Sequence, residues 1–166
     1  DATATININA GAFTDELGNE NTVGATEVEI TVDTTAPTVT VTSDKNSVGG
    51  NTGSAVETAT ITFTLSEPST DFIASDVVVV NGSIGTLTAN GTNDVYTATF
   101  TPNSDFNGTA TVDINAGAFT DPATNVNTAA TQETIAVNTV RPTISISSAP
   151  TTAIGGPNTA TVTFTL

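Results

Sequence analysis

The side chains in this sequence that could do chemistry are almost all oxygen ligands. Seventeen Asp and Glu stand against Lys45 and Arg141, and there is no His and no Cys, for a formal charge of −15 over 166 residues. Without His or Cys, no Ser-His-Asp or Cys-His arrangement can form. A carboxylate pair could serve a glycosidase, but the acids fall on loops and outer strand faces with no aromatic platform beside them, so the chain is not expected to be an enzyme. Carboxylates and carboxamides in loops are instead suited to a hard cation, since Ca2+ takes about six to eight oxygens from carboxylates, amides and backbone carbonyls. The expected ligands are Asp33, Glu67 and Asp121, with Asp76 next. Weaker candidates are Asp71, Asn125 and Asn127, and Asp15 and Asn19 in an earlier, similar stretch.

That earlier stretch points to the organisation of the chain. Ile8–Asp15 (INAGAFTD) recurs letter for letter as Ile114–Asp121, 106 positions later. Asn19 and Asn21 recur as Asn125 and Asn127, Asp33–Pro37 (DTTAP) as Asn138–Pro142 (NTVRP), and Ala59–Leu65 (ATITFTL) as Ala160–Leu166 (ATVTFTL). A repeat of about 105 residues marks tandem structural units. The reading is one whole unit over 35–138, preceded by the last strands of a unit over 1–34 and followed by the opening strands of another over 139–166. Neither end piece can bury a core of its own. Either the sequence is a window on a longer chain or neighbouring chains complete its ends, and the window is the preferred reading.

Within the unit, nearly every segment alternates apolar and polar residues with period two, as a half-buried strand does. Ala59, Ile61, Phe63 and Leu65 share one face, with Thr60, Thr62 and Thr64 opposite; Tyr96, Ala98 and Phe100 alternate with Thr97, Thr99 and Thr101. Strands are predicted over 37–43, 58–66, 76–81, 83–89, 95–101, 108–115 and 131–138. The valine run Val77–Val80 reads as a central strand or one covered on both sides. Ser47–Ser54 reads as a flexible loop, and Asn81-Gly82, Asn90-Gly91 and Asn107-Gly108 as tight turns. Seven short strands in about 100 residues, with no helical period, indicate an all-β chain built as an immunoglobulin-like β-sandwich. Without a Cys pair or Trp, its core must rest on aliphatics and on Phe63, Phe100, Phe106 and Phe119, with Phe119 tying the long loop before the last strand onto the core.

The sandwich is what positions the oxygens. In this topology the loops after the second, fourth and sixth strands share one end, where the N-terminal linker also enters. Asp33 from the linker, Glu67, Asp71 and Asp76 from the first of these loops, and Asp121, Asn125 and Asn127 from the last are gathered there. A second reading fits the same residues: Asp121 and the asparagines cap turns with their own side chains, and Asp33 ends a strand. Both readings stand on sequence alone. At the following linker Asn138 replaces Asp33 and Arg141 replaces Ala36, so that junction is expected to hold a cation less well, with the guanidinium available to bind the acidic loop directly.

The motif AGAFTD, followed by Gly18-Asn19 and Asn21, a strand, and Asp33-Thr-Thr-Ala-Pro37, resembles the bacterial immunoglobulin-like repeats of large secreted adhesins, the biofilm-associated and type I-secreted kind. Asp76–Gly82 (DVVVVNG) and Tyr96–Pro102 (YTATFTP) resemble that family's middle strands. The likeness covers the whole chain. It implies tandem domains, an extracellular or cell-surface location and Ca2+ at domain junctions. Two departures stand out: Asp121–Asn125 (DPATN) lacks the glycine of Asp15–Asn19 (DELGN), and the second linker carries Asn138 and Arg141.

The expected function is therefore structural: a stalk or spacer in an extracellular adhesin or surface filament, with calcium-stiffened junctions and neighbouring Ig-like repeats, in the same or adjacent chains, as partners. Alternatives are a filament subunit that polymerises by strand complementation and a carbohydrate- or protein-binding module, for which only Phe72 speaks. With so few bases, nucleic acid is excluded as a partner. No run reaches the length of a membrane span, so membrane insertion is not expected. The outward Thr rows and the sequons at Asn81, Asn90 and Asn107 read first as β-propensity and turn chemistry, ahead of a flat binding array or glycan acceptors.

Overall fold

The computed structural model describes residues 1–52, 55–149, 155–156 and 159–166. The central sandwich packs two sheets face to face. One sheet runs β10 (Thr88–Ala89), β11 (Val95–Pro102), β7 (Ala59–Leu65), β3 (Val39–Ser43), with β9 (Gly82–Ile84) also pairing with β11. The other runs β4 (Ser47–Gly49), β13 (Glu133–Asn138), β12 (Asn107–Ile114), β8 (Val77–Val80). Pairing is antiparallel except for β4 on β13, where Val48 lies beside Val137. Outside the sandwich stand two hairpins, β1 (Ala2–Ile6) with β2 (Val28–Val32) and β14 (Ser145–Ala149) with β15 (Thr161–Thr165), and a short pair β5 (Asn51–Thr52) and β6 (Ala55–Val56). Among the described residues no helix is long and apolar enough to cross a membrane.

The alternating pattern becomes the interior directly. Ile61, Phe63, Phe100, Val112, Ile114 and Ile135 are fully buried, with Val39, Val41, Leu65, Ala98 and Val137 around them. Burying each such aliphatic or Phe side chain stabilises by about 1.5–3 kcal/mol. The aromatic centre is Phe72. Its ring lies edge-on to Phe63 at 5.5 Å and to Tyr96 at 5.1 Å, and packs at 5.1 Å against Phe119.

Several expectations change on contact with the structure. Ser47–Ser54 is not simply a loop: Ser47–Gly49 pairs in parallel with the last strand, and Asn51–Thr52 forms part of a hairpin; Gly53 and Ser54 lie outside the described residues. The valine run is an edge strand, and Val78 and Val80 face out. The predicted strand 83–89 is broken into β9 and β10, both hydrogen-bonded to β11. Pro102 ends β11 instead of lying outside a strand. Of the three Asn-Gly pairs only Asn81 has positive φ (61°), and Asn107-Gly108 opens β12. Phe106 is only partly buried, while Phe72, read as a loop aromatic, sits in the core.

Candidate functional site

The end of the sandwich where the linker enters is built by two loops and the segment after β2. The loop after β7 carries Glu67, Ser69, Asp71 and Phe72; the loop between β12 and β13 carries Phe119, Asp121, Asn125 and Asn127. Two devices fix them. Asn127 is buried, accepts from the N–H groups of Ala118 and Phe119 at 2.7 and 3.0 Å, and donates to the carbonyls of Asn115 and Thr128 at 2.9 and 2.8 Å. It pairs backbone groups that would otherwise go unsatisfied inside the loop. Asp71 joins the two loops: its carboxylate accepts from Ser69 Oγ at 2.7 Å, from Thr120 N–H at 3.0 Å and from Thr120 Oγ1 at 2.8 Å. The Tyr96 hydroxyl adds a bond to the Ser69 carbonyl.

Asp33, Glu67 and Asp121 come together in this frame. Each offers a carboxylate oxygen, and the three oxygens lie within 4.8 Å of one another. Asp121 is buried, Asp33 and Glu67 half-buried. Asn125 links the linker to the loop, donating from Nδ2 to the Asp121 carboxylate at 2.8 Å and to the Asp33 carbonyl at 3.3 Å. Asp33 Oδ1 also accepts from Thr35 N–H at 3.0 Å, just past the end of β2. Among the described residues the only salt bridge is Lys45–Glu57, in another part of the fold, so no basic side chain neutralises the three carboxylates.

The electrostatics follow from that crowding. Partial burial, then the charges of Asp33 and Asp121, push the Glu67 carboxyl above its ordinary value, and a hydrogen bond with the Asp33 side chain works in the same direction. Burial works against the Asp121 carboxylate, but bonds from the Asn125 side chain and from the N–H groups of Asn125, Ala123 and Thr124 outweigh it and hold Asp121 below the usual range. Burial likewise opposes the charge on Asp71, and the Thr120 and Ser69 donors more than offset it.

The remaining candidates do not converge on the three carboxylates. Asp76 caps the 3-10 turn Ala74–Asp76, accepting from Ile73 N–H at 2.8 Å. Asp71 and Asn127 are occupied as described. Asp15 and Asn19 form the same local bonds as Asp121 and Asn125, at 3.0 Å each between Asp15 and the Asn19 N–H and side chain, but in an exposed loop, and among the described residues Asp15 joins no group of three carboxylates. The clasp from Asp71 to Thr120 was missed on sequence, because it joins loops 49 residues apart and nothing local marks it.

A linker residue and two loops thus close one end of the two-sheet core. The family described as bacterial Ig-like domain matches residues 33–137. The chain belongs to that family. No curated protein and no solved structure gives a match. The matched span of this bacterial Ig-like domain includes Asp33 at its first residue and both site loops. Two clefts of about 430 and 230 Å3 lie beside β4 and between β3 and the start of β13; neither is lined by an aromatic residue or by Asp33, Glu67 or Asp121.

Proposed function

We propose that this bacterial Ig-like domain is a structural spacer in an extracellular repetitive adhesin or surface filament, and that Ca2+ held by Asp33, Glu67 and Asp121 stiffens the entry to the sandwich. The observation that carries the reading is the carboxylate group itself. Oxygens around Ca2+ sit at about 2.3–2.6 Å from the ion, so any two lie within about 5 Å of each other, and the three here meet that limit. They come from a linker and from two loops of the next unit, so an ion between them would tie the linker to the sandwich. Further oxygens are near at hand in the Asp33 carbonyl, held beside Asn125, and in water. Asp76 is not part of this set.

The rest of the molecule agrees with a mechanical role. The Thr-rich outer faces and the clefts offer no aromatic platform for a sugar or peptide, and Phe72, the one residue that favoured a binding module, is buried among Phe63, Tyr96 and Phe119. Units of this kind contact mainly their neighbours, so length and stiffness accumulate repeat by repeat.

Thermal melts of the 166-residue chain in calcium and in chelator, with small-angle scattering in both, test the reading. Calcium should raise the midpoint by several degrees, at about 4–8 °C per kcal/mol of binding for a domain of about 100 residues, and should lengthen the scattering envelope. Asp33→Asn should lose both responses. Identical curves in calcium and chelator would overturn the ion and leave the spacer to rest on packing alone.

A further inference from the structure

The segment Ser47–Gly49, polar enough to read as loop, makes the one parallel pairing among the described residues, and its place in the chain gives that pairing a mechanical meaning. The entry linker leads into β3, which runs from Val39 beside Leu65 to Ser43 beside Ile61. The chain then crosses to the other sheet over 44–46, and β4 continues in the same sense along the end of β13: Ser47 beside Ala136, Val48 beside Val137, Gly49 beside Asn138. The exit linker begins at the next residue, Thr139, and is tied down there. Thr139 is buried, its Oγ1 donates to the Asn103 carbonyl at 2.7 Å and accepts from Phe106 N–H at 2.9 Å, and its N–H donates to the Phe106 carbonyl at 2.8 Å. β4–β13 therefore joins the strands fed by the entry linker directly to the strand that feeds the exit linker. Tension between the two linkers draws β4 toward the entry and β13 toward the exit, along their common axis. Evenly spaced bonds between parallel strands then carry the load together, whereas strands peeled from one end give way bond by bond.

The local chemistry is built for this contact. Val48 and Val137 are both buried beneath the pairing. A Cβ on Gly49 would come within 2.9 Å of the Asn138 carbonyl oxygen, so glycine is what lets β4 lie this close. Ala136 N–H donates to the Asn46 carbonyl at 3.0 Å. On the outer side, Gly49 N–H donates to one oxygen of Glu57 at 3.2 Å, and Lys45 Nζ holds the other oxygen at 2.9 Å and the Thr58 carbonyl at 2.7 Å. One of the two basic residues of the chain thus stands at this strand, in the only salt bridge among the described residues.

We propose that the β4–β13 pairing is the force-bearing clamp of the unit, with Gly49 allowing its close approach and the Lys45–Glu57 pair stapling β4 from outside. The inference rests on the spacer reading only in supposing tension between the two linkers. It uses no calcium.

Optical-trap pulling in chelator tests it. The chain has no Cys, so Thr34→Cys with Val140→Cys attaches handles end to end across the unit. Ser104→Cys with Val140→Cys attaches them at one end, where β13 peels away from β12 and β4. The first pair should rupture at several times the load of the second. At a fixed end-to-end load Gly49→Ala should unfold about tenfold faster than the parent, since forced unfolding follows the unfolding rate, and Lys45→Gln should unfold faster by a smaller factor. Phe119→Ala removes a buried ring at the opposite end of the sandwich, and it should speed end-to-end unfolding less than Gly49→Ala despite a larger loss in urea. Urea unfolding followed through Tyr96 shows which variants are folded; should Gly49→Ala fail to fold, Lys45→Gln carries the comparison. Equal rupture loads in the two directions overturn the proposal. So do clamp variants that unfold at the parent rate, or a Phe119→Ala that unfolds fastest, which would put the resistance in the core. Either result would leave the calcium response of the melts untouched, and a missing calcium response would leave the clamp standing.

Discussion

The loops Asn9–Asn21 and Asn115–Asn127 share nine of thirteen residues and a hydrogen-bond pattern but not an environment. In both, Asn at the end accepts from the Phe N–H and donates to the carbonyl of the Asn that opens the loop (Asn21 with Phe13 and Asn9, Asn127 with Phe119 and Asn115). In both, an isolated bridge joins the strand-like arms, Thr14 with Glu20 and Thr120 with Val126. Yet Phe13 is 61% exposed and Phe119 is 2% exposed, Ile8 is 45% exposed and Ile114 is fully buried. The same side-chain-to-backbone bonds thus hold the loop in both settings. Packing then decides what the folded loop is for. Only the second copy, pressed on Phe72 and clasped through Thr120 to Asp71, brings its aspartate to two other carboxylates.

The largest break of this comparison should come at the aromatic residue. Phe119→Ala removes a fully buried ring and is expected to cost the central sandwich about 3–5 kcal/mol, the range for Phe-to-Ala in cores. Phe13→Ala, at the matching position, is expected to leave the central sandwich within about 0.5 kcal/mol of wild type. Urea unfolding followed through Tyr96 reads both. Equal losses would mean that the first copy is as packed as the second.

Much of this was legible in the letters, for a physical reason: a strand half-buried against one core must alternate, and the alternation from Ala59 to Leu65 and from Tyr96 to Phe100 gives face and depth together. The meeting of Asp33, Glu67 and Asp121 was legible one step later, because sandwich topology puts those loops at one end. What escaped depends on partners distant in sequence. Ser47–Gly49 is polar and glycine-rich and pairs only because β13 offers a free edge. Val77–Val80 reads as a central strand or one covered on both sides; it is an edge strand among the described residues, and Val78 and Val80 point to the outer face of the sheet, where they are exposed. Phe72 follows Asp71 in a loop with no period to mark it as core, and Asp71 itself takes its role from Thr120.

A smaller effect separates the two loops at one backbone angle. Gly18 has φ of 85°, comfortable for glycine, and its counterpart Thr124 has φ of 70°, where a β-branched side chain is strained. The strain is tolerated because the bonds from Thr124 N–H to the Asp121 carbonyl and from Asn125 to the Asp121 carboxylate hold the turn closed. Left-handed φ costs an ordinary residue about 1–2 kcal/mol, and glycine gives back about 0.5–1 kcal/mol in unfolded-state entropy. Thr124→Gly is therefore expected to stabilise the sandwich by about 0.5–1 kcal/mol, raising the midpoint by a few degrees. Gly18→Thr should leave the unfolding of the central sandwich unchanged, since the first loop makes no part of that core. A loss of stability in Thr124→Gly would mean that the threonine makes a contact that outweighs its strain.

The finest distinction concerns Glu67, which has no partner of its kind near Asp15. Its carboxyl is raised in the folded chain, so the folded state holds the proton more tightly than the unfolded state does. The sign follows. Protonated Glu67 costs nothing below the ordinary carboxyl value, and stability is lost as pH rises from there through the raised folded value, beyond which the charge sits unneutralised beside Asp33 and Asp121. In chelator, Glu67→Gln should thus melt slightly above wild type at pH 7, and the gap should close toward pH 4. Asp71→Asn should show the opposite sense: its carboxylate is held below the ordinary value, so the clasp to Thr120 contributes above that value and fades as pH falls through the lower folded one. Calcium should reverse the order at Glu67, because the same charge then binds an ion, and Glu67→Gln should melt below wild type at pH 7 once calcium is added. A Gln variant that stays above wild type in calcium would place any bound ion away from Glu67, while one that melts below wild type even in chelator would mean that the glutamate is needed for packing and not for charge.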